Sequence, residues 1–141
     1  MIRAVILDTG PLARISHPRA TPEIFVWLQR LLTSGAAVIV PEIADYEVRR
    51  ELLRAGKTKG VARLEELKEV LTYLPINTQA MLRAAEFWAE ARKKGQPTAD
   101  PKELDSDVIL AAQAEQAGAV VATKNVGHLS RFVEAKRWTE I

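Results

Sequence analysis

The stretch VILDTGPL, Val5–Leu12, is a short apolar run that ends on a carboxylate, Asp8, and then turns at once through Thr9, Gly10 and Pro11. Consecutive apolar residues suit a strand buried on both faces, as in a parallel sheet covered by helices. A core strand that finishes on an aspartate delivers that acid at its carboxyl end. In open α/β sheets this is where reactive groups gather.

The remaining chain repeats the alternation of strand and helix. Helical spacing covers Pro22–Leu32, with Thr21 as a candidate cap and Ile24, Trp27, Leu28 and Leu31 on one face. Ala36–Val40 reads as a second buried strand. Pro41 opens a helix to about Ala55, and another covers about Thr58–Leu71. Thr72–Ile76 is short and strand-like. Asn77 is placed to cap a long helix to about Lys94. QPTADPKELDSD reads as a loop with a short helical turn, in which Asp100–Glu103 has the form of a capping box. A helix from about Ser106 to Ala117, a strand Ala119–Ala122 and a last edge strand in RWTEI complete the pattern. The expected architecture is one domain over residues 1–141, a three-layer α/β/α sandwich around a mostly parallel sheet.

Bulk properties narrow the function. The chain has 141 residues and is 48% apolar, enough for a core without disulfides or a structural metal. It contains no cysteine, which excludes a disulfide scaffold, a thiolate zinc site and a cysteine nucleophile. The first apolar run is too short for a signal peptide, and no window approaches the roughly 18 apolar residues of a membrane span. A soluble, cytoplasmic protein with no membrane partner is expected. The net charge of +2 says little about partners, but its distribution says more. Arg49, Arg50, Arg54, Lys57, Lys59 and Arg63 lie close together against one acid, Glu51. Such a run is either a solvated helix face or a surface for a polyanion.

Two further acids stand where Asp8 does, at the margin of apolar faces. Glu47 lies within PEIADYEVRREL, and Asp107 falls in the expected first turn of SDVILAAQAEQAG. Carboxylates at such margins are costly alone and repel one another when they converge. A divalent cation relieves both costs, and hard oxygen donors suit magnesium or manganese. Each acid also has a local explanation. Asp8 suits a turn, Glu47 could pair with Arg50 or Arg54, and Asp107 suits the positive end of a helix dipole. Asp105 is either an N-cap or an outer metal ligand, and Glu51 is a weaker substitute ligand.

His17 and His128 share no metal-ligand spacing, and no serine sits in a nucleophile elbow. A haloacid-dehalogenase phosphatase would want a second acid where Gly10 stands. A receiver domain would want paired acids beside the first strand.

The order and setting of the acids resemble a PIN domain, of the kind found in VapC-type toxins of toxin–antitoxin pairs. VILDTGPL, VPEIADYEVRREL and LDSDVILAAQAEQAGAVVATKNVGHLSRF carry the resemblance, which spans essentially the whole chain. It implies a magnesium- or manganese-dependent ribonuclease with Asp8, Glu47 and Asp107 as core acids and metal ligands. Thr9 and Thr123 would be the supporting hydroxyls. Arg50, Arg54 and Lys124 are candidates for RNA phosphates, with Arg49 pointing away into solvent. One departure matters: the position that is often a fourth acid is Asn125. The site then carries less charge unless Asp105 contributes, which weighs against two-metal catalysis. A rival expectation follows, a PIN-fold module that binds RNA or protein without cutting. An antitoxin partner and a homodimer are further expectations, with Phe87 and Trp88 available to a partner or to the core.

Overall fold

The computed structural model describes residues 2–95 and 101–141, the side chains of residues 101–104 excepted. Five parallel strands form one sheet: β1 (Ala4–Leu7), β2 (Ala37–Pro41), β3 (Thr72–Leu74), β4 (Val120–Ala122) and β5 (Ala135–Lys136). Their order is β3-β2-β1-β4-β5. The helices are α1 (Thr9–Ser16), α2 (Pro22–Thr33), α3 (Glu42–Arg54), α4 (Thr58–Val70), α5 (Thr78–Lys93), α6 (Pro101–Ala117) and α7 (Val126–Leu129).

The apolar runs are continuous because both sheet faces are buried. Val5, Leu7, Val38 and Val40 point into one layer with residues of α1, α2, α3 and α4. The intervening Ile6 and Ile39, with Val121, point into the other, against Leu110 and Ala114 of α6 and Leu129 of α7. Helix α5 packs on α6 through Ala80, Ala84, Phe87 and Ala91. Phe87 is therefore core, its ring tilted against that of Phe132 at 5.3 Å, whereas Trp88 remains 36% exposed.

Several expectations are corrected. Thr9–Gly10–Pro11 does not turn away from the strand; it begins α1. Proline is tolerated there because first-turn N–H groups have no intrahelical acceptor, and Leu12 makes the first bond back to the Asp8 carbonyl at 3.1 Å. Thr21 stands before Pro22 but makes no cap, since its hydroxyl accepts a hydrogen bond from Arg14 at 2.9 Å. Helix α6 starts at Pro101 rather than Ser106, so Asp107 lies in its second turn and Asp105 inside it, not at its N-cap. The Asp100 half of the capping box lies outside the described residues. RWTEI is not the edge strand. That role falls to Ala135–Lys136, and Trp138–Glu140 forms a 3₁₀ turn whose indole packs edge-on against Trp27 at 5.6 Å. Asn77 does cap α5, its Oδ1 accepting the Ala80 N–H at 2.8 Å. Among the described residues no helix is long and apolar enough to cross a membrane.

Candidate active site

From β1 the chain moves outward to β2 and β3, then returns past β1 to β4 and β5. The carboxyl ends of β1 and β4 therefore meet at the point where strand order reverses, the usual crevice of such sheets. Asp8 follows β1 directly, and its N–H is tied to the Ala122 carbonyl of β4 at 3.0 Å. Thr123 follows β4 and is fully buried. Its hydroxyl donates to Asp8 Oδ2 at 2.7 Å and accepts the Asn125 N–H at 2.8 Å. Asp8 Oδ1 accepts the Thr9 N–H at 2.7 Å.

The second acid arrives from α3. Thr9 Oγ1 donates to Glu47 Oε1 at 2.8 Å, so the residue beside Asp8 also holds Glu47. Arg50 lies farther from Glu47, at 3.9 Å and half exposed, and its guanidinium sits 5.2 Å from the Tyr46 ring centroid. The third acid, Asp107, projects from α6. Burial, followed by the negative charge of Asp8, pushes its carboxyl up to about 6; Glu47 adds to the rise, and His128 and Arg131 oppose it.

These groups line one pocket of about 680 Å³, together with Gly10, Ser106, Lys124, Asn125 and His128. The structure thus brings together Asp8, Glu47 and Asp107 with Thr9, Asn125, Arg50 and Lys124, while Thr123 holds Asp8 in place. It does not bring Asp105, which lines a separate groove against Met81, Ala84 and Trp88 of α5. Nor does it bring Arg54, which is three-quarters exposed and paired with Glu51 at 2.8 Å. Arg49 is not solvated as expected. It joins Asp45 and Glu65 in an ionic cluster that also includes Lys68 and Tyr73.

His128 is the pocket residue that sequence reasoning set aside. Its Nδ1 lies 3.7 Å from Asp107 Oδ2 because the short helix α7 follows β4 immediately. The signal was its position just beyond the strand that ends in Thr123, rather than any spacing to His17.

Carboxylate oxygens are the donors that magnesium and manganese take. Burial is the larger cause of the rise of Asp107, and the charges of Asp8 and Glu47 add crowding that a dication would relieve. Among the described residues, no three Asp, Glu or His groups are gathered closely enough to cage an ion. A dication bound here would take one or two protein carboxylates and keep several waters, a common arrangement for magnesium.

Residues 5–133 match the PIN domain family, and the chain belongs to it. The fold is shared with solved structures at low identity. One is VapBC2 from Rickettsia felis bound to a DNA fragment from their promoter, with a TM-score of 0.80, 15% identity, and 96% of this chain and 98% of that one covered. Another is FitAcB from Neisseria gonorrhoeae, at 0.74, 21%, 97% and 99%. A third is Mycobacterium tuberculosis VapC20, described as a Sarcin-Ricin loop cleaving toxin, at 0.61, 16%, 92% and 97%. Comparison with curated proteins finds no match.

Proposed function

We propose that this PIN-domain protein is a magnesium- or manganese-dependent endoribonuclease and the toxin of a type II toxin–antitoxin pair. The observation that carries the reading is the convergence of Asp8, Glu47 and Asp107, from three different elements, on one pocket at the sheet's reversal point. The VapBC neighbours support a cognate antitoxin as partner, and VapC20 supports RNA as substrate. A homodimer remains part of the reading by resemblance.

In this reading Asp8 and Asp107 would hold the ion, and Glu47 would accept the proton of the attacking water. A dication bound there would supply charge neutralisation at the scissile phosphate and lower the pKa of a water. Thr123 and Thr9 keep Asp8 and Glu47 from rotating away, each through one hydroxyl. Arg50 and Lys124 line the pocket wall, where they would meet RNA phosphates.

The test joins cleavage to binding. Magnesium or manganese raises the melting temperature of the wild-type protein, and Asp8→Asn abolishes both that rise and RNA cleavage. Equal cleavage in excess EDTA sinks the metal mechanism. The loose arrangement of the acids and the neutral Asn125 favour a second reading, a PIN-fold binding module. RNA binding without cleavage at any magnesium or manganese concentration selects it.

A further inference from the structure

We propose that a track of cations carries single-stranded RNA out of the acidic pocket, across α1 and onto the turn between α3 and α4. The inference deepens the ribonuclease reading and rests on it in one respect: the polyanion in the pocket is RNA.

Three depressions share walls. The acidic pocket shares Gly10 and Lys124 with a groove of about 340 Å³ lined by Arg14, His17 and Arg19. That groove shares His17 and Arg19 with another of about 590 Å³ lined by Lys57 and Lys59. Among the described residues, neither of the two outer grooves has an acid in its wall. Grooves of one sign focus their field outward and concentrate an oppositely charged chain.

Among the described residues Arg14, Arg19, Lys57, Lys59 and Lys124 make no salt bridge, whereas Arg49, Arg54 and Arg83 each do. Arg14 is aimed by neutral groups, the Thr21 hydroxyl at 2.9 Å and the Trp138 ring at 5.2 Å, so its charge is left for a ligand. Lys124 lies across the junction of the first two depressions, with its stem on Gly10. A Cβ on Gly10 would come within 3.3 Å of Lys124 Cδ.

Lys57 and Lys59 also break a local rule. They flank the start of α4, whose first turn holds no acid. The positive end of a helix dipole favours acids there, so folding does not account for two lysines. Their place on the outer groove does. A single strand suits the recessed acids, of which Glu47 is 20% exposed and Asp107 18%. It is slimmer and more flexible than a duplex and can bend a phosphate down to them.

The test is Lys57→Gln/Lys59→Gln, with Lys93→Gln/Lys94→Gln at the end of α5 as a control of equal charge loss. Binding of a labelled single-stranded RNA of about 15 nucleotides is followed against salt in EDTA. The Lys57/Lys59 variant is expected to bind about tenfold more weakly at low salt and to lose about 1.4 from the salt slope; the control loses far less. Arg19→Gln, in the shared wall, is a second variant, expected to lose about 0.7. Equal losses in variant and control, or none, overturn the track. So does a loss confined to a polyglutamate peptide, which assigns the groove to an acidic protein segment. Cleavage in manganese is scored separately. Slope loss without cleavage overturns the ribonuclease reading and leaves the track standing, and cleavage without slope loss does the reverse.

Discussion

Thr123 joins the two central strands at their tips: its hydroxyl donates to Asp8 at 2.7 Å while accepting the Asn125 N–H at 2.8 Å. One buried oxygen thus orients the first acid and fixes the loop that leaves β4. Thr123→Val keeps the shape and removes both bonds. We expect a loss of about 1–3 kcal/mol in urea unfolding, since two hydrogen bonds of about 0.5–1.5 kcal/mol each are lost. The rise in melting temperature caused by magnesium should shrink as well. Thr123→Ser should restore both, and a Ser variant as impaired as the Val variant would show that the methyl group matters instead.

Asp107 predicts a pH dependence in the metal-free protein. Its carboxyl is held at about 6 in the fold, against an ordinary 3.8. Between those values the folded chain binds more protons than the unfolded one, so this group's contribution to stability falls as pH rises. Asp107→Asn should therefore stabilise the protein in EDTA near pH 8, by about 1–2 kcal/mol once partial solvent screening is allowed for. Near pH 4 it should change little. A melting-temperature gain that is the same at both ends of the range contradicts the assignment.

Asn125 predicts a trade between charge and metal. Asn125→Asp adds a carboxylate to a pocket where Asp107 already feels Asp8 and Glu47. The metal-free melting temperature should fall. The rise on adding magnesium should grow, with affinity improved about tenfold. Titrating each protein with magnesium while following unfolding measures both, and an unchanged magnesium response removes Asn125 from the site.

Asp45 is 5% exposed and predicts a structural effect rather than a functional one. It accepts from Arg49 at 3.1 Å and from the Tyr73 hydroxyl at 3.2 Å, and it faces Lys68 at 3.1 Å. Burial, then the Asp45 charge, pushes the Tyr73 phenol up to about 12. Asp45→Asn should cost about 1–3 kcal/mol, because two partly buried cations are left with only the more exposed Glu65 as counter-charge. Ultraviolet titration should find Tyr73 ionising at lower pH, though still above an exposed tyrosine. A stable variant with an unmoved tyrosine refutes the cluster's role.

The strands were legible because each points alternate side chains into two helical layers and so reads as unbroken apolar sequence. Asp8 was legible for the same reason, as the polar residue that ends the run. Helix α1 was hidden because Thr9–Gly10–Pro11 has turn chemistry locally, and only the carbonyl of Asp8 converts it to a helix start. The start of α6 was hidden because its first residues, PKELDSD, are mostly polar and show no apolar stripe. The tail misled because Trp138 is positioned by Trp27, more than a hundred residues away. Asp45 and His128 escaped notice for a common reason. Their partners come from other elements, Lys68 and Tyr73 for one and Asp107 for the other.

Of the three acids only Asp8 is anchored to the sheet. Glu47 rides on a helix packed mainly against one face, and Asp107 on a helix packed against the other. The gap between those two carboxylates is therefore set by how the two outer layers pack on the sheet. Repacking a side chain such as Val48 or Leu110, deep in either layer and remote from solvent, retunes the spacing of the charges without touching any of them.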